Sequence, residues 1–150
     1  MSTKATLEGT DGSRIEIGGS TYEFPEVERG PDADWVVGWV ELSDPSTQAS
    51  QRLEITWRTE EVERFASELR DLTGGRSARA ELDHMEDQVE IAVRAGGGVR
   101  MDAFITDHDE IELRLQGVEI SPEALVGASR DFGQLAEAFR VRSSLNAPSD

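Results

Sequence analysis

The chain contains no cysteine. A disulfide framework, a thiol nucleophile and a cysteine-bound zinc centre are therefore excluded. It has no run of about 18 apolar residues, so no stretch reads as a membrane-crossing helix. Its N-terminus, MSTKATLEGTDGSRIEIGG, lacks the apolar centre of a secretion signal, and a cytoplasmic protein is expected. Lysine is nearly absent, with Lys4 the only one. Positive charge of any kind is scarce: 15 Lys and Arg face 31 Asp and Glu, for a net charge of -16. A field of that sign repels nucleic acid and anionic membranes, so neither is expected as a partner. It attracts basic proteins. A GC-rich genome or a salt-adapted proteome gives the same excess of acid, so charge alone leaves its cause open.

What is present suffices for one domain over residues 1–150, with 1–4 and 143–150 frayed. At 150 residues and 37% hydrophobic content the chain can bury a core without staples. Its organising stretch is RLEITWRTEEVERFASELRDLTGG, Arg52 to Gly75. Leu53, Ile55 and Trp57 alternate with polar residues, as in a half-buried strand. Val62, Phe65, Ala66, Leu69 and Leu72 then follow helical spacing. Thr59 reads as the helix cap, with Glu60, Glu61 and Glu63 at the positive end of the dipole and Gly74-Gly75 as the stop.

Strands are expected on both sides of this unit. Ala5–Glu8 and Arg14–Ile17 flank an Asp11-Gly12 turn; Gly18-Gly19-Ser20 breaks the second strand, which resumes at Thr21–Phe24. Trp35–Leu42, apolar on both faces, reads as a central strand, and Ser50–Arg58 returns beside it. Four more follow: Ser77–Leu82 (burying Ala78, Ala80 and Leu82), Gln88–Arg94, Val99–Ile105, and a last one from Ile111 to Ile120. In that last strand the apolar parity flips, which predicts a bulge near Gly117. Ser121-Pro122 opens a second helix with Leu125, Ala128, Phe132, Leu135, Ala136 and Phe139 on one stripe. Gly127 and Gly133 in it predict a bend or close packing. The expectation is an α+β fold: antiparallel β-meanders forming one sheet or two packed sheets, covered by two α-helices over about 60–73 and 121–141.

Catalytic chemistry is hard to find. His84 and His108 both lie in acidic turns without zinc-ligand spacing, and read as solvated. A small metal-dependent enzyme using them with Asp107 and Asp109 is the alternative. Glu54, Glu90 and Glu112 alternate with apolar residues and should face solvent, where carboxylate pairs are not tuned for acid–base work. The glycine runs follow no phosphate-loop pattern. Trp35, Trp39 and Trp57 read as buried core rather than a ligand pocket. No catalytic residue, metal site or cofactor is assigned.

The exposed loops carry more. Asp32-Ala33-Asp34-Trp35, Asp83-His84-Met85-Glu86-Asp87 and Asp107-His108-Asp109-Glu110 set acid beside an aromatic, methionine or histidine residue. That combination suits docking of a basic protein. Asp32, Asp34, Asp83, Met85, Glu86, Asp87, Asp107, Asp109 and Glu110 are the candidate partner-binding residues.

From about Asp34 to Phe139 the order of elements resembles the WapI-type bacterial immunity proteins. The resemblance lies in the Asp34-Trp35 strand start with VVGWVEL, the helix with Glu61, Phe65 and Leu69, the glycine turn before Val99, and the opening SPEAL at Ser121–Leu125. It implies a non-enzymatic protein that binds and neutralises a cognate toxin, here a basic one met by an acidic surface. The unpaired sheet edges leave a homodimer open.

Overall fold

In the computed structural model, which describes residues 3–142, two four-stranded antiparallel meanders follow one another along the chain. The first runs β1 (Lys4–Glu8), β2 (Arg14–Tyr22), β3 (Trp35–Asp44) and β4 (Ala49–Arg58), in that spatial order. Helix α1 (Thr59–Thr73) leads to the second: β5 (Arg79–Asp83), β6 (Val89–Ala95), β7 (Val99–Thr106) and β8 (Glu112–Ile120). Helix α2 (Pro122–Ala138) closes the chain. The α+β expectation therefore holds, with two separate sheets. Lys4, expected to fray, is paired with Gly18; residues 1–2 and 143–150 lie outside the described part.

The buried side chains of both sheets and both helices form one apolar cluster. At its centre Phe65 of α1 meets Phe132 of α2 edge to face, with centroids 4.9 Å apart. The helices pack on each other, α2 beside β1 and α1 beside β5. Each thereby covers a sheet edge that would otherwise offer bare N–H and C=O groups. On β5, the Glu68 carboxylate of α1 accepts the Glu81 backbone N–H at 2.8 Å. The other two edges are tied by loops. His84 Nε2 lies 2.6 Å from the Thr56 carbonyl on β4, and Thr10 N–H donates to the Glu119 carbonyl on β8 at 2.8 Å.

Several local expectations hold for the stated reasons. Ser121 caps α2 by accepting from Ala124 N–H at 3.1 Å, and Pro122 begins the helix. The pairing of β7 with β8 shifts register between Met101 and Ala103, with Gly117 in the left-handed region at φ 61°. Gly75, at φ 73°, provides the stop after α1.

Others are corrected. Strand β2 runs unbroken through Gly18-Gly19, with a register shift between Gly19 and Thr21. These positions need glycine for contact. A Cβ on Gly18 would meet the Trp39 ring at 2.1 Å, and one on Gly38 would meet the Gly18 carbonyl at 2.0 Å. Trp57 is core, as expected, and its Nε1–H donates to the Gly18 carbonyl at 3.0 Å; Trp35 and Trp39 are only half-buried, on the outer face. Ala78 precedes β5 and is exposed. Helix α2 ends at Ala138, short of 141, and nothing packs tightly on Gly127 or Gly133. No helix among the described residues is long and apolar enough to cross a membrane.

Candidate functional site

The first turn of α1 is where charge and backbone meet. The residue before the helix is Arg58, whose side chain has no acceptor to offer as a cap. Glu61, at the third helical position, reaches back instead. Its Oε1 accepts Arg58 N–H at 2.6 Å. Thr59, expected to cap, lies inside the first turn, fully buried, with its hydroxyl unpartnered among the described residues. The other oxygen of Glu61 accepts Met85 N–H at 2.6 Å, from the turn after β5. One half-buried carboxylate thus ties β4, α1 and an acidic turn together. Burial pushes the Glu61 carboxyl up from its ordinary range, against the pull of the two N–H donors, His84 and Arg58.

His84, expected in solvent, is 2% exposed. Both ring nitrogens are occupied: Nδ1 accepts Gln88 N–H at 3.3 Å, which leaves Nε2–H to donate to the Thr56 carbonyl. A ring held this way is a structural pin for the turn. It has no face left for a ligand or a substrate proton. His108 is exposed, and its Nε2 sits 2.8 Å from the Glu86 carbonyl. That contact ties the turn at 107–110 to the turn at 83–87. Asp107 organises its own turn by accepting from Asp109 N–H at 2.9 Å and Ile111 N–H at 2.8 Å, which hold its carboxyl below the usual range.

Two of the three expected acidic loops are therefore brought together. Asp83, Met85, Glu86, Asp87, Asp109 and Glu110 are exposed on them, and Asp107 is half-buried. Met85 is 58% exposed, an apolar side chain standing among acids. Asp87 and His108 both adopt left-handed backbone, at φ 55° and 65°. Such turns store backbone strain. The third loop is different. Asp32 is exposed, but Asp34 is fully buried and its carboxylate accepts Arg142 N–H at 2.6 Å. Arg142 also donates to the carbonyls of Phe24, Pro25 and Ala33 and stacks over Tyr22 at 3.7 Å. Asp34 belongs to that internal clasp, and its expected place on an exposed loop is corrected.

Beside the joined turns runs a groove of about 720 Å³ between α1 and β5. Glu60, Glu61, Glu63, Glu68, Glu81 and Asp83 line it, with Arg64 as the one cation. Glu61 and Glu68 are spent on backbone N–H groups, Glu60 and Glu81 pair with Arg58 and Arg79, and Glu63 and Asp83 present acid to solvent. In the sequence Glu60, Glu61 and Glu63 read only as charges at the helix dipole, and their place on a groove face was missed. The signal was there in Glu60, Glu63, Arg64 and Ser67, spaced three and four apart on the helix. Among the described residues no three His, Asp or Glu are placed to hold a metal ion together. The arrangement offers a broad, mostly open acidic surface with one methionine standing in it, suited to a cationic surface of a partner rather than to enclosing a small substrate.

A profile of the immunity protein WapI-like family matches residues 6–140 of the chain. No curated protein and no solved structure matches it.

Proposed function

The chain belongs to the WapI-like immunity protein family, and we infer from that premise that it neutralises a cognate toxin domain by binding it, without chemistry of its own. The binding surface is the acidic groove along α1 and β5 with the joined turns around Met85 and His108. The observation that carries this reading is the groove's lining of six carboxylates and one arginine, of which Glu63 and Asp83 face solvent outside the ion pairs of Glu60 with Arg58, Glu81 with Arg79 and Glu68 with Arg64. A toxin that cleaves nucleic acid must itself be basic to hold a polyanion. An acidic antidote of net charge -16 would be steered to it quickly and would occupy the surface its substrate needs. The pair would meet in the cytoplasm of the producing cell. Asp83, Glu86, Asp87, Asp109, Glu110 and Glu63 supply the charge, and Met85 supplies an apolar contact among them.

The test is binding to the toxin domain encoded beside this gene, measured from low to high salt together with the toxin's activity. Tight binding that abolishes activity and weakens steeply with salt supports both the role and the surface. Tight binding indifferent to salt would keep the role and remove the acidic surface from it. Absence of binding would remove the role.

A further inference from the structure

The solvent face of the first sheet is unlike the acidic surface beside it. Trp35, Val37 and Trp39 point outward in a row along β3. Across the strands, Trp35 lies opposite Arg58, Val37 between Thr21 and Thr56, and Trp39 between Gly18 and Glu54. The two indoles are held in place. The Arg58 guanidinium sits 5.5 Å from the Trp35 ring centre and that of Arg52 sits 4.6 Å from Trp39. Trp39 Nε1–H donates to Glu16 at 3.2 Å, and the ring lies over Gly18, where no side chain could fit. Val37, 36% exposed, is flanked across the sheet only by the small Thr21 and Thr56.

Most charge on this face is paired, Lys4 with Glu16, Arg14 with Glu41 and Arg52 with Glu54; Glu8 stands exposed at its β1 end, and Arg58 pairs with Glu60 at the start of α1. The last pair is the connection that matters. Arg58 covers Trp35 and is 2.6 Å from Glu60, which lines the acidic groove. The aromatic face and the groove therefore meet at Arg58. Trp and Arg are the residues that most often dominate binding energy at protein interfaces, and rings already fixed lose little freedom when covered.

We propose that the Trp35–Val37–Trp39 face is the apolar seat for the same basic protein that the groove attracts. The groove governs approach and the seat governs how long the partner stays. The proposal rests on the reading above. A second copy of this chain fits less well: pairing would bring two molecules of charge -16 together with their grooves adjoining.

The experiment compares association and dissociation rates for the neighbouring toxin domain with wild type, Val37→Arg, Thr56→Arg, and Glu63→Gln combined with Asp83→Asn. Thermal unfolding identifies which variants keep the fold; Thr56→Arg probes the same face from the next strand should Val37→Arg not fold. An arginine on the seat is expected to speed dissociation by about 30-fold or more, as loss of a central contact does. The groove double variant is expected to slow association and flatten the salt dependence. Wild-type dissociation rates in a folded Val37→Arg or Thr56→Arg protein would overturn the seat while leaving the toxin-binding reading intact. A wild-type protein that binds no toxin would fail that reading and take the seat with it. A dimer of the free protein that sediments as monomer in Val37→Arg would give the face to a second copy and overturn the proposal.

Discussion

The Glu61 carboxylate accepts the Met85 N–H at 2.6 Å across 24 positions of sequence, and with its other oxygen closes the first turn of its own helix. A single ionisable group therefore sets both a helix start and the turn that presents Met85, Glu86 and Asp87. Its carboxyl is raised by burial, so the folded state holds that proton more tightly than the unfolded chain does. The stability that follows is fully present below the ordinary glutamate range and is lost as pH rises through the raised value. Glu61→Gln removes this dependence. The difference in thermal midpoint between wild type and Glu61→Gln is expected to move in favour of wild type as pH is lowered from neutral through that window. A constant difference would show that Glu61 does not titrate differently in the folded protein.

His84→Ala should cost about 3 kcal/mol, because it opens a cavity and orphans both Gln88 N–H and the Thr56 carbonyl. Urea unfolding measures it. A cost under about 0.5 kcal/mol, the level of a surface substitution, would mean that the ring is not a pin.

Arg142→Ala is expected to lower stability by about 2 kcal/mol and to free the loop between Tyr22 and Trp35, since three of its carbonyls bond to that guanidinium. Limited proteolysis should cut this loop sooner in the variant. An unchanged cleavage pattern would mean that the loop is held without the clasp.

Gly38→Ala places a methyl group 2.0 Å from the Gly18 carbonyl, between paired strands. The sheet must part there, at a cost of about 1–3 kcal/mol. Because Trp57 Nε1 bonds to that same carbonyl, the tryptophan fluorescence of the folded protein should shift as well. A variant as stable as wild type, with the same spectrum, would remove this contact as the reason for glycine.

Elements set by short-range chemistry were legible in the sequence. The Ser121-Pro122 helix start and the bulge announced by the parity flip around Gly117 depend on residues within a few positions of each other. The misread positions depend on distant ones. His84, between Asp83 and Met85, looks like a solvated turn residue until the Thr56 carbonyl, 28 positions earlier, arrives to accept from its Nε2–H. Thr59 has the chemistry of a cap, yet the helix starts one residue earlier, with Arg58 in the cap position, and the hydroxyl ends up inside the first turn. Trp39 reads as core because Trp35–Leu42 is apolar on both faces, but only the face of Val40 and Leu42 is buried and Trp39 lies on the other. The turns at 83–87 and 107–110 were visible as acid clusters. What was not visible was that His108 would join them, or that Asp34 would be drawn inside by Arg142.

Helix α2, late in the chain, lies against β1, near its beginning, and His84 comes from beyond α1 to guard the open side of β4. The first meander therefore leaves the ribosome with both flanks unshielded; the β4 side is closed once His84 follows, and the β1 side only when α2 has been made. A product cut short before Ser121 would carry the first four strands without their guard on one side, ready to join a neighbour. Late completion puts a premium on the strong like-charge repulsion of the nascent chain, which would hold unfinished copies apart while they wait for α2.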